Sequence, residues 1–135
     1  NSRMPSVLRE AKAALFMNRC EGGTNLVAME CMACGVPTIL SANTGHVDLL
    51  RDGGAVPLTR QMPVKAPAGF RGIEGWGESD VEEAVAALEA IYTDRARAIE
   101  TGRRGATVLA SMSWARQIAQ LKETLRPFLE RATRA

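Results

Sequence analysis

The sequence predicts an α/β fold, a parallel sheet with helices packed against it, and three observations carry that prediction. The run "AALFMN" (13–18) is compact and apolar, with the composition of a buried strand. The stretch "VPTILSA" (36–42) is apolar and β-branched, a second interior strand. Between them, Thr24 to Cys34 keeps near-helical apolar spacing. A strand, a helix and a strand in that order form a βαβ unit, which pairs its strands in parallel through a right-handed crossover.

The remaining elements follow along the chain. Pro5 fits the first turn of a short opening helix through Ala11, where its missing N–H is not needed. The turn "RCEGG" (19–23) leads into the Thr24–Cys34 helix, with Thr24 or Asn25 as its cap. Its apolar residues run almost all the way round, so it is expected to be buried on most sides. Gly35 stops it and Pro37 bars its continuation. "NTGHVDLLRDG" (43–53) reads as a loop with one or two helical turns, and "AVPL" (55–58) as a third short strand. Residues 59–77 are rich in Gly and Pro and predict a long loop. Its Gly72-x-x-Gly75-x-Gly77 fails as a dinucleotide fingerprint, because no strand precedes it.

The rest reads as helical. Ser79 with Glu82 three residues on predicts a capping box, and Val81, Val85, Leu88 and Ile91 an apolar stripe. The segment 95–112 is expected to be a weaker helix broken by Gly102 and Gly105. A last helix starts at a Ser113 cap and lines up Trp114, Ile118, Leu121 and Leu125, with Trp114 expected in the core. Residues 1–135 form one partial domain on this reading, with 78–135 as its closing helices.

Composition narrows the function classes. Hydrophobic residues make up 46% of 135, enough for one core, and the longest apolar runs fall well short of the about 20 residues of a membrane helix. The opening residues enter a helix at once, as a start inside a domain would. Three cysteines (Cys20, Cys31, Cys34) are too few and too odd for a disulfide scaffold, which predicts a reducing, cytoplasmic setting. Cys31 and Cys34 form a C-x-x-C, but a zinc site needs four ligands and only Cys20 and the lone His46 remain. Buried, chemically idle thiols are expected. Residues 1–94 hold 8 Lys/Arg against 12 Asp/Glu, and residues 95–135 hold 9 against 3. That basic arm reads first as a solvated, Arg-rich helix face and alternatively as a contact for phosphate or an anionic surface, such as the inner face of a membrane, while the lack of basic runs and interleaved aromatics speaks against a dedicated nucleic-acid module.

Chemistry concentrates in "RCEGGTNLVAMECMACGVPTIL" (19–40), where Glu21 and Glu30 bracket a Gly22-Gly23-Thr24-Asn25 turn. A strand that ends in such a turn and feeds a helix offers backbone N–H groups and the positive end of the helix dipole to one spot. That spot lies at the carboxyl end of a parallel strand, where open α/β sheets bind ligands. Gly22 and Gly23 let a ligand approach the backbone. Carboxylates repel phosphate but accept hydroxyl hydrogen bonds, so a sugar–phosphate ligand fits the whole set. A first-turn acid accounts for Glu21 through the dipole alone; Glu30, expected as an unpartnered charge in a buried helix, is not so explained.

The stretch "EGGTNLVAMECMACGVPTILSANTGHVDLLRDG" resembles the donor-binding half of the retaining GT-B glycosyltransferases of family four (glycosyl transferases group 1). "MECMACGVP" (29–37) is similar to the family's Ala-Met-Ala-x-Gly-x-Pro segment with its preceding glutamate. "SANTGHVDLLRDG" is similar to its Gly-Gly-x-x-Glu-x-Ile segment, with Asp48 in the acid's place. The resemblance implies a Rossmann-like sheet, the second half of a GT-B C-terminal domain. It also implies transfer of a sugar from a nucleoside diphosphate (uridine, guanosine or adenosine) to an acceptor hydroxyl, with no metal and no further cofactor. Carried over, Glu21 would hold donor-sugar hydroxyls near the reacting carbon, and Glu30 the ribose 2′- and 3′-hydroxyls. Amides around Asn25, Leu26 and Val27 would face the diphosphate, and His46 stands where it could touch the ligand.

Two departures stand out. Eight residues separate Glu21 from Glu30 where the family has seven, and Asn25 takes a glycine's place. The basic pair that grips the diphosphate and the N-terminal acceptor domain are absent from these residues, so the fragment alone is expected to be inactive and its open strand edge prone to self-association. The same fold also suits a non-catalytic sugar-nucleotide sensor or an interaction module. Trp76, between two glycines, is expected to pack onto the body rather than cover a sugar.

Overall fold

The computed structural model describes residues 2–66, 68–69 and 71–132. Its centre is a three-stranded parallel sheet of β1 (Ala14–Phe16), β2 (Thr38–Ser41) and β3 (Val56–Leu58), in the order β1-β2-β3. Ala14 pairs with Thr38 and Phe16 with Leu40; Ile39 pairs with Val56 and Ser41 with Leu58. The crossover between β1 and β2 is α2 (Leu26–Ala33). The predicted βαβ unit and the third strand are all present.

All four residues of β2 are buried, as a central strand covered on both faces requires. Successive side chains point to opposite faces, so Ile39 and Leu40 enter separate cores. Leu40 joins Ala28, Met32, Leu49 and Ala55 beneath α2. Ile39 joins Leu58, Ala84, Ile91 and Ala98 beneath α3 (Val81–Thr93) and the start of α4 (Arg95–Ser111). Leu109, at the far end of α4, packs on the first cluster, so this one helix serves both layers.

Several expectations change. The opening helix is α1 (Met4–Leu8), shorter than the stretch to Ala11. The connection 43–53 forms two 3-10 turns, Thr44–Asp48 and Arg51–Gly53. The predicted long loop is closed at its base by an antiparallel pair, β4 (Gln61–Pro63) with β5 (Gly77–Ser79). Ser79 is therefore a buried strand residue, and the cap of α3 is Asp80, whose carboxylate accepts from Glu83 N–H at 2.8 Å. Glu83 reaches back instead to Thr59 and Arg60.

The stripe on α3 also turns out differently. Ala84 and Ile91 are buried while Val81, Val85 and Leu88 are exposed, because the face of the helix that meets the sheet is the one carrying Ala84, Ala87 and Ile91. α4 runs unbroken through Gly102 and Gly105, both buried: a Cβ on Gly102 would collide with the Gly35 carbonyl, and one on Gly105 would come within 2.6 Å of the Gly54 carbonyl. These glycines admit neighbouring backbone. The last helix, α5 (Trp114–Ala132), is exposed along its described length, and Trp114 is 84% exposed rather than in the core. Among the described residues no helix is long and apolar enough to cross a membrane.

A buried polar junction ties the β4–β5 pair to the carboxyl end of the sheet. The Asn43 amide nitrogen lies 3.0 Å from each of the Asn18 carbonyl, the Gln61 side-chain oxygen and the Gly77 carbonyl. Ser79 Oγ donates to Ser41 Oγ at 2.9 Å, and Ser41 Oγ in turn to the Phe16 carbonyl.

Candidate functional site

The segment between β1 and α2 sits where the three parallel strands end. Its backbone is pinned by the first 3-10 turn: Glu21 N–H donates to Thr44 Oγ1 at 2.7 Å, and the Glu21 carbonyl accepts from Gly45 N–H at 3.1 Å. Gly45 is required here, since a Cβ would collide with the Gly23 carbonyl and lie 2.9 Å from the Glu21 oxygen. The half-buried Glu21 carboxylate folds onto its own turn, accepting from Gly23 N–H and from the Asn18 amide, both at 3.3 Å. Gly22 and Gly23 are exposed with open space where a Cβ would project.

Asn25 is the cap of α2. It adopts a left-handed backbone (φ 60, ψ 85), which Asn tolerates better than most residues, and its Oδ1 accepts from Ala28 N–H at 3.1 Å. Met29 N–H begins the helical ladder on the Asn25 carbonyl at 3.0 Å. The amides of Leu26 and Val27, ahead of that ladder, are left to the space in front of the helix. Thr24, the other cap candidate, sends its hydroxyl to Met29 Sδ at 3.1 Å instead.

Glu30 is exposed, as are Leu26 (74%) and Val27 (50%). α2 is thus buried on one side only, through Ala28, Cys31 and Met32, and the expectation of a helix enclosed on most sides is corrected. The inference that a charge at Glu30 needs a buried partner falls with it. Glu30 instead lines a groove of ≈ 440 Å³ between α2 and α4, with Leu26, Ala33 and Leu109. A larger cleft of ≈ 640 Å³ opens beside it, walled by Thr24, Leu26, Asp48, Arg51, Trp114 and Gln117. Leu26 and Met29 border both, so the two grooves adjoin across the α2 N-terminus, and Glu21 lines neither.

His46 is placed otherwise than expected of a loop histidine. It is fully buried, with Nε2 3.0 Å from the Asn25 amide nitrogen and no hydrogen-bond partner for Nδ1. Burial pushes its pKa down; the Glu21 carboxylate and the Ser41 backbone pull upward without overcoming it. Asp48 is exposed and paired with Arg51 at 2.6 Å. Cys31 is buried and its thiol pKa is raised by burial, then by Cys34 and Glu30, which makes it a packing group at neutral pH. Among the described residues no cluster of three or more His, Cys, Asp or Glu is placed to hold a metal ion. Trp76 is half-buried, with its backbone N–H on the Ile73 carbonyl at 3.0 Å.

Sequence reasoning missed Asn43, Arg51 and the cleft role of Trp114. Arg51 carries no local signal, and Trp114 was masked by its helical spacing with Ile118 and Leu121.

Residues 1–121 match a family model described as "Family 4 Glycosyltransferase in conflict systems". The chain belongs to that family. Neither curated proteins nor solved structures gave a match. The parallel sheet with helices on both faces is the Rossmann-like architecture that the family resemblance implied. In this family 4 glycosyltransferase, the turn after β1 and the N-terminus of α2 stand where an open α/β sheet receives its ligand.

Proposed function

We propose that this chain forms the donor-binding part of a retaining glycosyltransferase that uses a nucleoside-diphosphate sugar. One observation carries the reading: an Asn25-capped helix N-terminus behind an open Gly22-Gly23 turn, at the carboxyl end of β1. The diphosphate would lie on the Leu26 and Val27 amides, where the helix dipole favours negative charge. Glu30, exposed one helical turn on, would accept from the ribose hydroxyls. Glu21 would turn from the Gly23 amide to hydroxyls of the sugar, close to the reacting carbon. Thr24 lines the larger cleft beside this N-terminus.

In the reaction the bond from the anomeric carbon to the diphosphate breaks and the acceptor oxygen takes the same face. The leaving diphosphate receives the acceptor's proton. Stabilising that leaving group is the protein's main task, and fixed helix-end donors perform it without a metal in this reading. The acceptor would be held by a further, N-terminal domain of the same protein, in the cytoplasm; the residues here would not transfer sugar alone. Calorimetric titration of the full-length protein with UDP, GDP and ADP tests this, with Glu30→Gln alongside. Selective binding that Glu30→Gln weakens is expected; no binding of any of the three would overturn the reading.

A second reading, a non-catalytic module, is favoured by the apolar side of α5, where Trp114, Leu121, Phe128 and Leu129 are all at least half exposed. It predicts that Glu30→Gln leaves the protein's activity untouched. In the donor-binding reading, the basic C-terminal arm would hold the enzyme against an anionic membrane surface, and the β1 edge of these residues alone would self-associate.

A further inference from the structure

We propose that His46 is a positioning residue for the diphosphate: a buried, neutral imidazole that holds Asn25 in its left-handed cap and so aims the α2 amides. The inference deepens the donor-site reading and rests on it. Asn25 Oδ1 accepts from Ala28 N–H, which fixes the orientation of the amide and leaves Nδ2 only a donor. Its partner at 3.0 Å, His46 Nε2, must therefore offer a lone pair. The ring is then neutral with its proton on Nδ1, which is buried without a well-formed hydrogen bond although the Ser41 backbone acts on the ring.

The histidine is itself well fixed. Its backbone N–H donates to the Asn43 carbonyl at 3.1 Å, and its carbonyl accepts from Leu49 and Leu50 N–H at 2.9 and 3.3 Å. Asn43 is bound to Asn18 and Gly77. A continuous path thus runs from the end of the sheet through Asn43 and His46 to Asn25. Filling a buried space needs no imidazole; a phenyl ring would do it without leaving a polar atom unpaired. What the imidazole adds is an acceptor aimed at the one non-glycine helix cap, among the described residues, whose backbone is left-handed. A glycine at position 25 would adopt that backbone freely; asparagine there needs its side chain held, and His46 holds it.

The test uses the full-length protein, with inorganic pyrophosphate and the three nucleoside diphosphates as probes and the matching nucleosides as controls. Variants are His46→Phe, His46→Gln (an acceptor of similar reach), Asn25→Gly and the double His46→Phe/Asn25→Gly. His46→Phe is expected to weaken diphosphate binding by about tenfold, the size of one lost helix cap, with nucleoside binding unchanged. His46→Gln should restore most of it, and His46→Phe should add nothing in the Asn25→Gly background. Long-range proton–nitrogen NMR of the imidazole should show Nδ1 protonated and Nε2 bare. Wild-type diphosphate affinity in His46→Phe, additive losses in the double variant, or a protonated Nε2 would overturn the positioning role. If the wild-type protein binds no diphosphate, the donor reading fails instead, and the proposal with it.

Discussion

Gly102 of α4 lies against the Gly35 carbonyl so closely that α4 and the turn that ends α2 meet backbone to backbone at that point. A Cβ at Gly102 would also stand 2.9 Å from the Gly35 carbon and 3.3 Å from the Pro37 nitrogen. Gly102→Ala would improve intrinsic helicity by about 1 kcal/mol. The clash is with backbone, which cannot swing aside, and is expected to win: net destabilisation of about 1–3 kcal/mol in a urea titration. A variant as stable as the wild type would mean that the α2–α4 seam opens freely.

Glu83 supports the chain after β3 from a distance in sequence. Its carboxylate accepts from Thr59 N–H and Oγ1, both at 2.9 Å, and from Arg60 N–H at 2.8 Å. Burial raises its pKa, but these amides, the Thr59 hydroxyl and the Arg60 charge outweigh it and hold the group below 4.5. A lowered carboxylate stabilises the fold above the unfolded value, and that contribution is lost as pH falls through the folded value. Glu83→Gln should cost about 1 kcal/mol at neutral pH after solvent screening, and should flatten the acid limb of stability against pH.

His46 works over a higher window. Its folded pKa lies below the ordinary 6.5, so the unfolded chain takes up the proton first. Stability is full above 6.5 and declines as pH drops toward the folded value. Glu21, the carboxylate nearest in effect, softens the decline. Denaturation midpoints followed through this range should fall for the wild type, and His46→Phe should remove that part of the slope.

α5 contributes little to the core. Its described residues are all exposed, from Trp114 to Arg131. A chain ending at Ser113 is expected to melt within about 3 °C of the longer one by circular dichroism. A much larger fall would show that the helix folds back on the body in solution.

The alternation of strand and helix in residues 13–42 was legible because each element carries its own apolar signature, and the family motif lies in the same stretch. Elements made by long-range pairing were not. β4 and β5 are three residues each, and Pro63 cannot donate to a ladder, so their pairing depends on Asn43 and Gln61 rather than on strand propensity. Ser79 and Asp80 are both good caps, and only the burial of Ser79 beside Ser41 decides between them. Gly102 and Gly105 read as breaks because a sequence shows their lost propensity and hides the backbone they admit. The Asn25 cap was readable from residue type, while the burial of His46 behind it required the first 3-10 turn to be in place. Glu30 was expected in a closed environment because hydrophobicity all round a helix does not say how many sides have neighbours.

The β4–β5 pair has a practical consequence for engineering. Gln61 and Ser79 close the base of the intervening stretch, and Asn43 anchors that base to the sheet. Chain inserted between Val64 and Glu74 therefore has its two ends already held together, whatever its length. A fluorescent reporter or a small binding domain grafted there would ride on the molecule without loading the sheet or the α2 N-terminus.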